Sequence, residues 1–193
     1  MRKKLSGEEG ITLVELLVTT VILVLLGMMV NTGMQMATES YRRIIAQSEL
    51  ELMKSTVLDE LADDLRFAWN VEPDLTASPD DVVDFIYSSP SFGENTTLDV
   101  DLNGDGEKAG HIKARSDYTE AEYGADPVEF LDTGVYGAVK AGESAYEVYD
   151  LHIHYEETDN TFDITLGVRT TDPHLELDSH TDNVTIKCLN PNT

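Results

Sequence analysis

Twenty consecutive residues, Ile11–Val30 (ITLVELLVTTVILVLLGMMV), carry a single charge. As an α-helix rising about 1.5 Å per residue, the run is about 30 Å long, the thickness of a bilayer's hydrocarbon core. A helix apolar on every side cannot lie on a water-soluble surface, so it must cross a membrane or be covered by other apolar helices. The one charge is Glu15. A carboxylate in a membrane helix costs up to about 3 kcal/mol at mid-span and less near the end, so its presence calls for a reason. Ahead of the run lies a short charged stretch, residues 1–10, with Arg2, Lys3, Lys4, Glu8 and Glu9. Its basic residues place the N-terminus in the cytoplasm and the chain beyond Val30 outside. The run is followed by NTGMQMATES, which lacks the small-residue pattern of a secretory cleavage site.

The basic leader, Gly10, the apolar residue after it and Glu15 within GITLVELLVTTVILVLLG together resemble the N-terminus of type IV pilins, minor pilins and pseudopilins. That resemblance implies cleavage after Gly10 by a prepilin peptidase, N-methylation of Ile11, and Glu15 as the fifth residue of the mature chain. Gly7 is a rival cleavage position, but it would put Thr12 fifth and leave two glutamates at the mature end. Two positions depart from the family pattern. Ile11 stands where phenylalanine or methionine is commoner, and Thr32 stands near a position where the family often has proline. The stretch DELADDLRFA (Asp59–Ala68) is similar to the end of the long helix in W-type minor pilins, J-type pseudopilins and Gram-positive pilin-like proteins.

Cleavage would create an α-amino cation at Ile11. Where such helices bundle, a carboxylate about one turn along a neighbouring helix can pair with that cation. A slipped register would leave two unpaired charges in a dry environment. Glu15 is therefore expected to be an assembly residue, and the alternative is a charge tolerated near a helix end. With no proline near Thr32 a smooth helix is expected, with Gly27 and Gly33 as the places where it could loosen.

From Glu39 to Trp69 there is no proline or glycine. Leu50, Met53, Val57, Leu61, Leu65 and Ala68 recur at three- and four-residue steps, and Tyr41, Ile44 and Ile45 extend the stripe upstream. Acidic residues fill much of the space between them. This pattern predicts an amphipathic helix stopping near Trp69-Asn70, continuous with the apolar run. Beyond Pro73, segments 82–87, 112–115, 148–155, 161–169 and 184–189 are rich in β-branched and aromatic residues, and EETDN between two of them reads as a hairpin turn. Residues 117–145 read as a long loop region with room for one weak strand. The expected class is α+β: a long N-terminal helix, membrane-spanning in its first half and amphipathic in its second, packed on a C-terminal antiparallel β-sheet, the pilin fold that the resemblance implies. The expected segments are a leader (1–10), a transmembrane or assembly half-helix (11–30), an amphipathic half-helix (31–72) and an extracytoplasmic β domain (73–193).

The formal net charge of −24 repels nucleic acid and anionic lipid headgroups, so no nucleic-acid binding is expected of the outer domain. The single cysteine, Cys188, permits no intrachain disulfide and reads as a buried strand residue. The sharpest local motif is DLNGDGEKAGHI, residues 101–112, where Asp101, Asn103 and Asp105 occupy positions 1, 3 and 5 of a calcium-loop pattern. Its twelfth position is Ile112 rather than glutamate, so Asp99, Glu107, Asp117 or water would have to complete a calcium site. The alternative is an acidic turn that binds nothing specific. His152 and His154 share one face of a predicted strand, a start for a zinc or copper site or an ordinary pair of solvent-facing histidines. The tyrosines at 118, 123, 136, 146 and 149 read as packing residues or as a contact surface. There is no G-x-S-x-G, no H-E-x-x-H and no phosphate-binding glycine loop in the sequence, and no enzymatic activity is expected.

The resemblance implies a minor pilin or pseudopilin. Such a chain is a structural subunit of a pilus-like or secretion filament, located in the cell membrane before assembly and at the surface after it. Its partners would be other subunits, the prepilin peptidase and the membrane. The rival expectations are a membrane-anchored extracytoplasmic calcium- or ligand-binding protein with an uncut anchor, and an anchored extracytoplasmic enzyme.

Overall fold

A computed structural model describes residues 12–74, 82–100, 110–117, 126–131, 133–137 and 144–190. The chain is α+β. It opens with one α-helix, α1 (Leu13–Arg66, 54 residues), about 80 Å long. Among the described residues, eight strands and a 3-10 turn follow: β1 (Trp69–Pro73), β2 (Phe85–Ser89), β3 (Gly93–Val100), β4 (Ile112–Arg115), β5 (Val128–Glu129), η1 (Thr133–Tyr136), β6 (Tyr146–Glu156), β7 (Thr161–Thr170) and β8 (Asp178–Lys187). Two compact units make up the chain, Met1–Ile44 and Ile45–Thr193.

In the first unit, α1 runs unbroken through Gly27 and Gly33, as expected of a helix without the proline, and shows no loosening at either glycine. The threonines of this apolar stretch do not leave their hydroxyls unpaired. Thr19 and Thr20 donate to the carbonyls of Leu16 and Leu17, and Thr32 donates to Met28 at 2.9 Å. Every residue from Leu13 to Met36 is exposed. Among the described residues, α1 is the one helix long and apolar enough to cross a membrane.

In the second unit the apolar stripe is buried as the spacing requires. Leu50, Met53, Val57, Leu61, Leu65 and Ala68 all enter a single core. Upstream the stripe stops earlier than expected: Ala46 is buried, but Tyr41, Ile44 and Ile45 remain exposed. The helix also ends three residues before Trp69. Trp69 instead starts β1, which pairs with β2. The main-chain N–H of Leu189 donates to the Arg66 carbonyl, which supplies a partner for one orphan acceptor at the helix end.

The expected single sheet is two. One holds five strands in the order β1-β2-β3-β4-β5, and the other holds β6-β7-β8, with antiparallel pairing throughout. A parallel bridge, Val83 to Ile153, joins them, with Ile153 N–H donating to Val82 O at 2.8 Å. The hairpin read from EETDN is the β6–β7 turn, closed by Glu156 opposite Thr161. In residues 117–145 the described structure is short: β5 has two residues and η1 has four. Both sheets and the helix share the core, where Phe85, Tyr87, Tyr155 and Phe162 pack their rings at centroid distances of 5.0–6.1 Å.

Candidate functional site

The first turn of α1 carries the residue that the sequence singles out. The Leu16 N–H donates to Thr12 O at 3.1 Å, the first bond of the helical ladder, so Thr12 is the N-cap residue. Thr12 Oγ1 accepts from the Glu15 main-chain N–H at 3.3 Å, and a Glu15 carboxylate oxygen accepts from the Thr12 N–H at 3.3 Å. The same carboxylate oxygen accepts from the Thr12 hydroxyl at 3.3 Å. This is a Thr-x-x-Glu capping box, in which two otherwise orphaned N–H groups are satisfied reciprocally. Glu15 lies in the first turn, where the helix dipole favours a negative charge. It is exposed, flanked by exposed Leu13, Val14, Leu16 and Leu17, and is the only charged residue between Ile11 and Glu39. Among the described residues the bonds it accepts are long and fall on one oxygen, Oε2, so the carboxylate keeps capacity for a stronger, cationic donor. Gly10 and Ile11, the residues of the expected cut, lie outside the described residues.

Asp101, Asn103 and Asp105 also lie outside the described residues. The flanks of their loop are described. Val100 at the end of β3 pairs with Ile112 at the start of β4. Gly110, at φ +72°, accepts from the Val148 N–H of β6 at 3.0 Å. Beside it sits a residue that no pattern in the sequence marks out. His111 is 2% exposed and lies flat on Tyr136, with ring centroids 3.8 Å apart and planes 8° from parallel. Its Nδ1 is 3.2 Å from Glu129 Oε2 and its Nε2 is 2.7 Å from Ser144 Oγ. The ring thereby ties β5 to the segment that enters β6. The Tyr136 hydroxyl accepts from the Ile112 N–H at 2.9 Å, and burial pushes the pKa of that phenol up.

His152 and His154 share the exposed face of β6, as their spacing requires, but they turn to different carboxylates. His152 is 3.5 Å from Asp150, and His154 contacts Asp84, whose other oxygen accepts from the Tyr155 N–H at 3.2 Å. Asp150 also meets His180 of β8 at 3.0 Å. No group of three or more His, Cys, Asp or Glu side chains among the described residues is placed to hold a metal ion. Cys188 is buried just beyond β8, its thiol 3.3 Å from the Ala68 carbonyl, and burial pushes its pKa up. A thiol in that state is a packing group rather than a nucleophile. Tyr136 and Tyr146 are core residues, Tyr149 is half-buried, and Tyr118 and Tyr123 lie outside the described residues.

Comparisons of the chain with protein-family models, with curated proteins and with solved structures find no match.

Proposed function

We propose that this chain is a type IV pilin-like subunit, a minor pilin or pseudopilin, cut after Gly10, N-methylated at Ile11 and inserted through its long helix into a membrane-based filament. One observation carries the reading. α1 is a single 54-residue helix, bare over Leu13–Ile45 and apolar from Leu13 to Val30, that buries a stripe on antiparallel sheets from Ala46 onward, with one carboxylate in its first turn. A helix so divided suits a subunit that waits in a membrane and then packs its bare half against other copies. Glu15 has the position and the free acceptor capacity to receive the Ile11 amine of a neighbour. Within the filament the subunit is structural, and its acidic outer domain faces solvent.

The capping box favours a second reading. It gives Glu15 a local role that needs no neighbour, as in an uncut membrane anchor holding an extracytoplasmic ligand- or calcium-binding domain. Two variants separate the readings. Gln also serves at the third position of a capping box, so Glu15→Gln keeps the cap and removes only the charge. Glu15→Ala removes both, at a helix cost of about 1 kcal/mol. For a filament subunit both variants should remain in the membrane, and both should lose incorporation into sheared filaments. For an uncut anchor Glu15→Gln should behave as the parent chain does. The mass of the N-terminal peptide from native membranes decides independently. N-methyl-Ile11 supports the filament subunit, and an intact Met1–Gly10 stretch in cells that process other prepilins overturns it.

A further inference from the structure

Two asparagines begin an Asn-x-Thr triplet without proline at x, the acceptor pattern for N-linked glycosylation: Asn95 (Asn-Thr-Thr) and Asn183 (Asn-Val-Thr). The geometry of the two differs. Asn183 lies in β8, an outer strand of its sheet. On β7, Leu166 faces Thr181 and Ile164 faces Val184, so Asp182 and Asn183 together oppose Thr165 in a β-bulge. Burial shows the same step. Half-buried Ser179 and Thr181 alternate with exposed neighbours, Asp182 and Asn183 are both exposed, and the alternation resumes at half-buried Val184 and buried Ile186. Asn183 holds φ +57°, a conformation asparagine tolerates better than most residues. Thr185, the third residue of the triplet, is exposed, and its hydroxyl donates to Asp163 at 2.6 Å in an exposed bond that water can replace.

Asn95 sits in a similar bulge, where Ser88 opposes both Glu94 and Asn95, at φ +49°. Its third residue, Thr97, is however half-buried on β3, which is paired on both sides. The left-handed turn does not by itself call for the threonine. Asn70 and Asn160 adopt it at φ +50° and +53°, and they begin Asn-Val-Glu and Asn-Thr-Phe. Asn160 also uses its Oδ1 to accept from the Tyr155 hydroxyl at 3.0 Å, whereas the Asn183 carboxamide makes no hydrogen bond among the described residues. We propose that Asn183 is the acceptor of an N-linked saccharide. The donor is a lipid-linked saccharide phosphate or pyrophosphate, and a membrane transferase on the outer side joins the two. The carboxamide nitrogen attacks the anomeric carbon of the sugar. The new C–N bond forms as the bond to the phosphate oxygen breaks, the electron pair leaves on the phosphate, and the nitrogen gives up one proton. The outer edge of β8 lets an enzyme engage Asn183–Thr185 as an extended segment, with the Thr185 hydroxyl as the second recognition group. A saccharide there also covers a strand edge otherwise open to pairing with another chain.

The inference rests on export of the outer domain, which the filament and anchor readings share, and not on filament assembly. The test uses the full chain purified from native membranes. Anhydrous trifluoromethanesulfonic acid trims any glycan to its asparagine-linked sugar, and peptide mass spectrometry with fragmentation then places the added mass. Asn183 should carry one added monosaccharide, and Asn70 and Asn160 should carry none. The addition should vanish in Asn183→Gln and in Thr185→Val, which keeps the shape of the threonine, and persist in Thr185→Ser, which keeps its hydroxyl. A sugar that survives Thr185→Val, or that marks Asn70 and Asn160 as well, would overturn the triplet as its cause. External protease on intact cells or spheroplasts separates the remaining failures. An unmodified Asn183 in a chain whose outer domain is digested overturns the acceptor and leaves export standing. An unmodified chain that is protected overturns export, and the acceptor with it.

Discussion

Gly110→Ala is expected to destabilise the outer domain by several kcal/mol, more than about 3, and to leave little folded protein at growth temperature. A Cβ at this position would sit 2.6 Å from Glu147 Cβ, 2.7 Å from Val148 O and 2.9 Å from Val148 N. Two of these are backbone atoms of β6, whose Val148 is paired with Val168 on β7, so the neighbour cannot yield. The Val148 N–H that donates to Gly110 O would be pushed away with it. The positive φ of +72° adds conformational strain. Gly93→Ala separates the two causes. Its φ is +108°, but its nearest neighbour, Ser116 Cβ, is 4.0 Å away, so it should cost only the strain, about 1–2 kcal/mol. Urea unfolding of both variants in detergent measures the difference. Equal losses would mean that backbone conformation, and not the close approach to β6, is what makes glycine necessary at 110. The consequence reaches the acidic motif, because Gly110 is where its loop rejoins described structure.

The helix was legible in the sequence because its signal is local. Six residues from Leu50 to Ala68 repeat at three and four, and all six are buried. The division of the strands into two sheets was not, because each strand pairs with its neighbour in sequence and only the absence of a β5–β6 pairing among the described residues parts them, in a segment without periodic pattern. β3 is hidden in the sequence because GENTTLDV opens on Gly, Glu and Asn and carries no aromatic residue, although Thr96, Leu98 and Val100 alternate to the buried side. β1 was hidden because the segment before Pro73 reads equally well as the end of a helix. Tyr41, Ile44 and Ile45 continue the helical period without a sheet to cover them, so periodicity alone could not say where packing stops. Glu15 stood out as a charge in an apolar run, whereas its partner Thr12 did not. The Thr-x-x-Glu spacing was present, and reading it as a capping box would have shown both roles of the glutamate. His111 had no signal at all: one histidine before a short strand says nothing of Tyr136, Glu129 and Ser144.

Asp64→Ala is expected to cost about 3–5 kcal/mol, although Asp64 belongs to what looks like an acidic helix face. It follows Leu61 by three positions, which places it on the core side, and it is 5% exposed. Its Oδ2 accepts from the Tyr87 hydroxyl at 2.8 Å and its Oδ1 from the Ser89 hydroxyl at 2.7 Å. Ser89 Oγ in turn accepts from the N–H groups of Ser91 and Phe92, each at 3.0 Å. Alanine would strand two buried hydroxyl donors and loosen the β2–β3 turn. Combining Asp64→Ala with Tyr87→Phe should cost less than the sum of the single losses, since the second change removes a donor that the first leaves unpaired. Strict additivity would show that the two groups do not share this bond. The phenol also gives a pH signature. Burial first, then the nearby Asp64 charge and the hydrogen bond to it, raise the pKa of Tyr87 well above 10. The native state keeps that proton while the unfolded chain loses it, so this contribution is complete below about pH 10 and is lost as pH rises further. Tyr87→Phe should therefore flatten the alkaline limb of the stability profile. A carboxyl group seated in the apolar stripe between Leu61 and Leu65 can be satisfied at one axial position only. A slip of one helical turn would bring Asp64 away from both hydroxyls and set apolar side chains against them. The network thus fixes where the amphipathic half of the helix sits on β2, and it makes that junction intolerant of the loss of any one member.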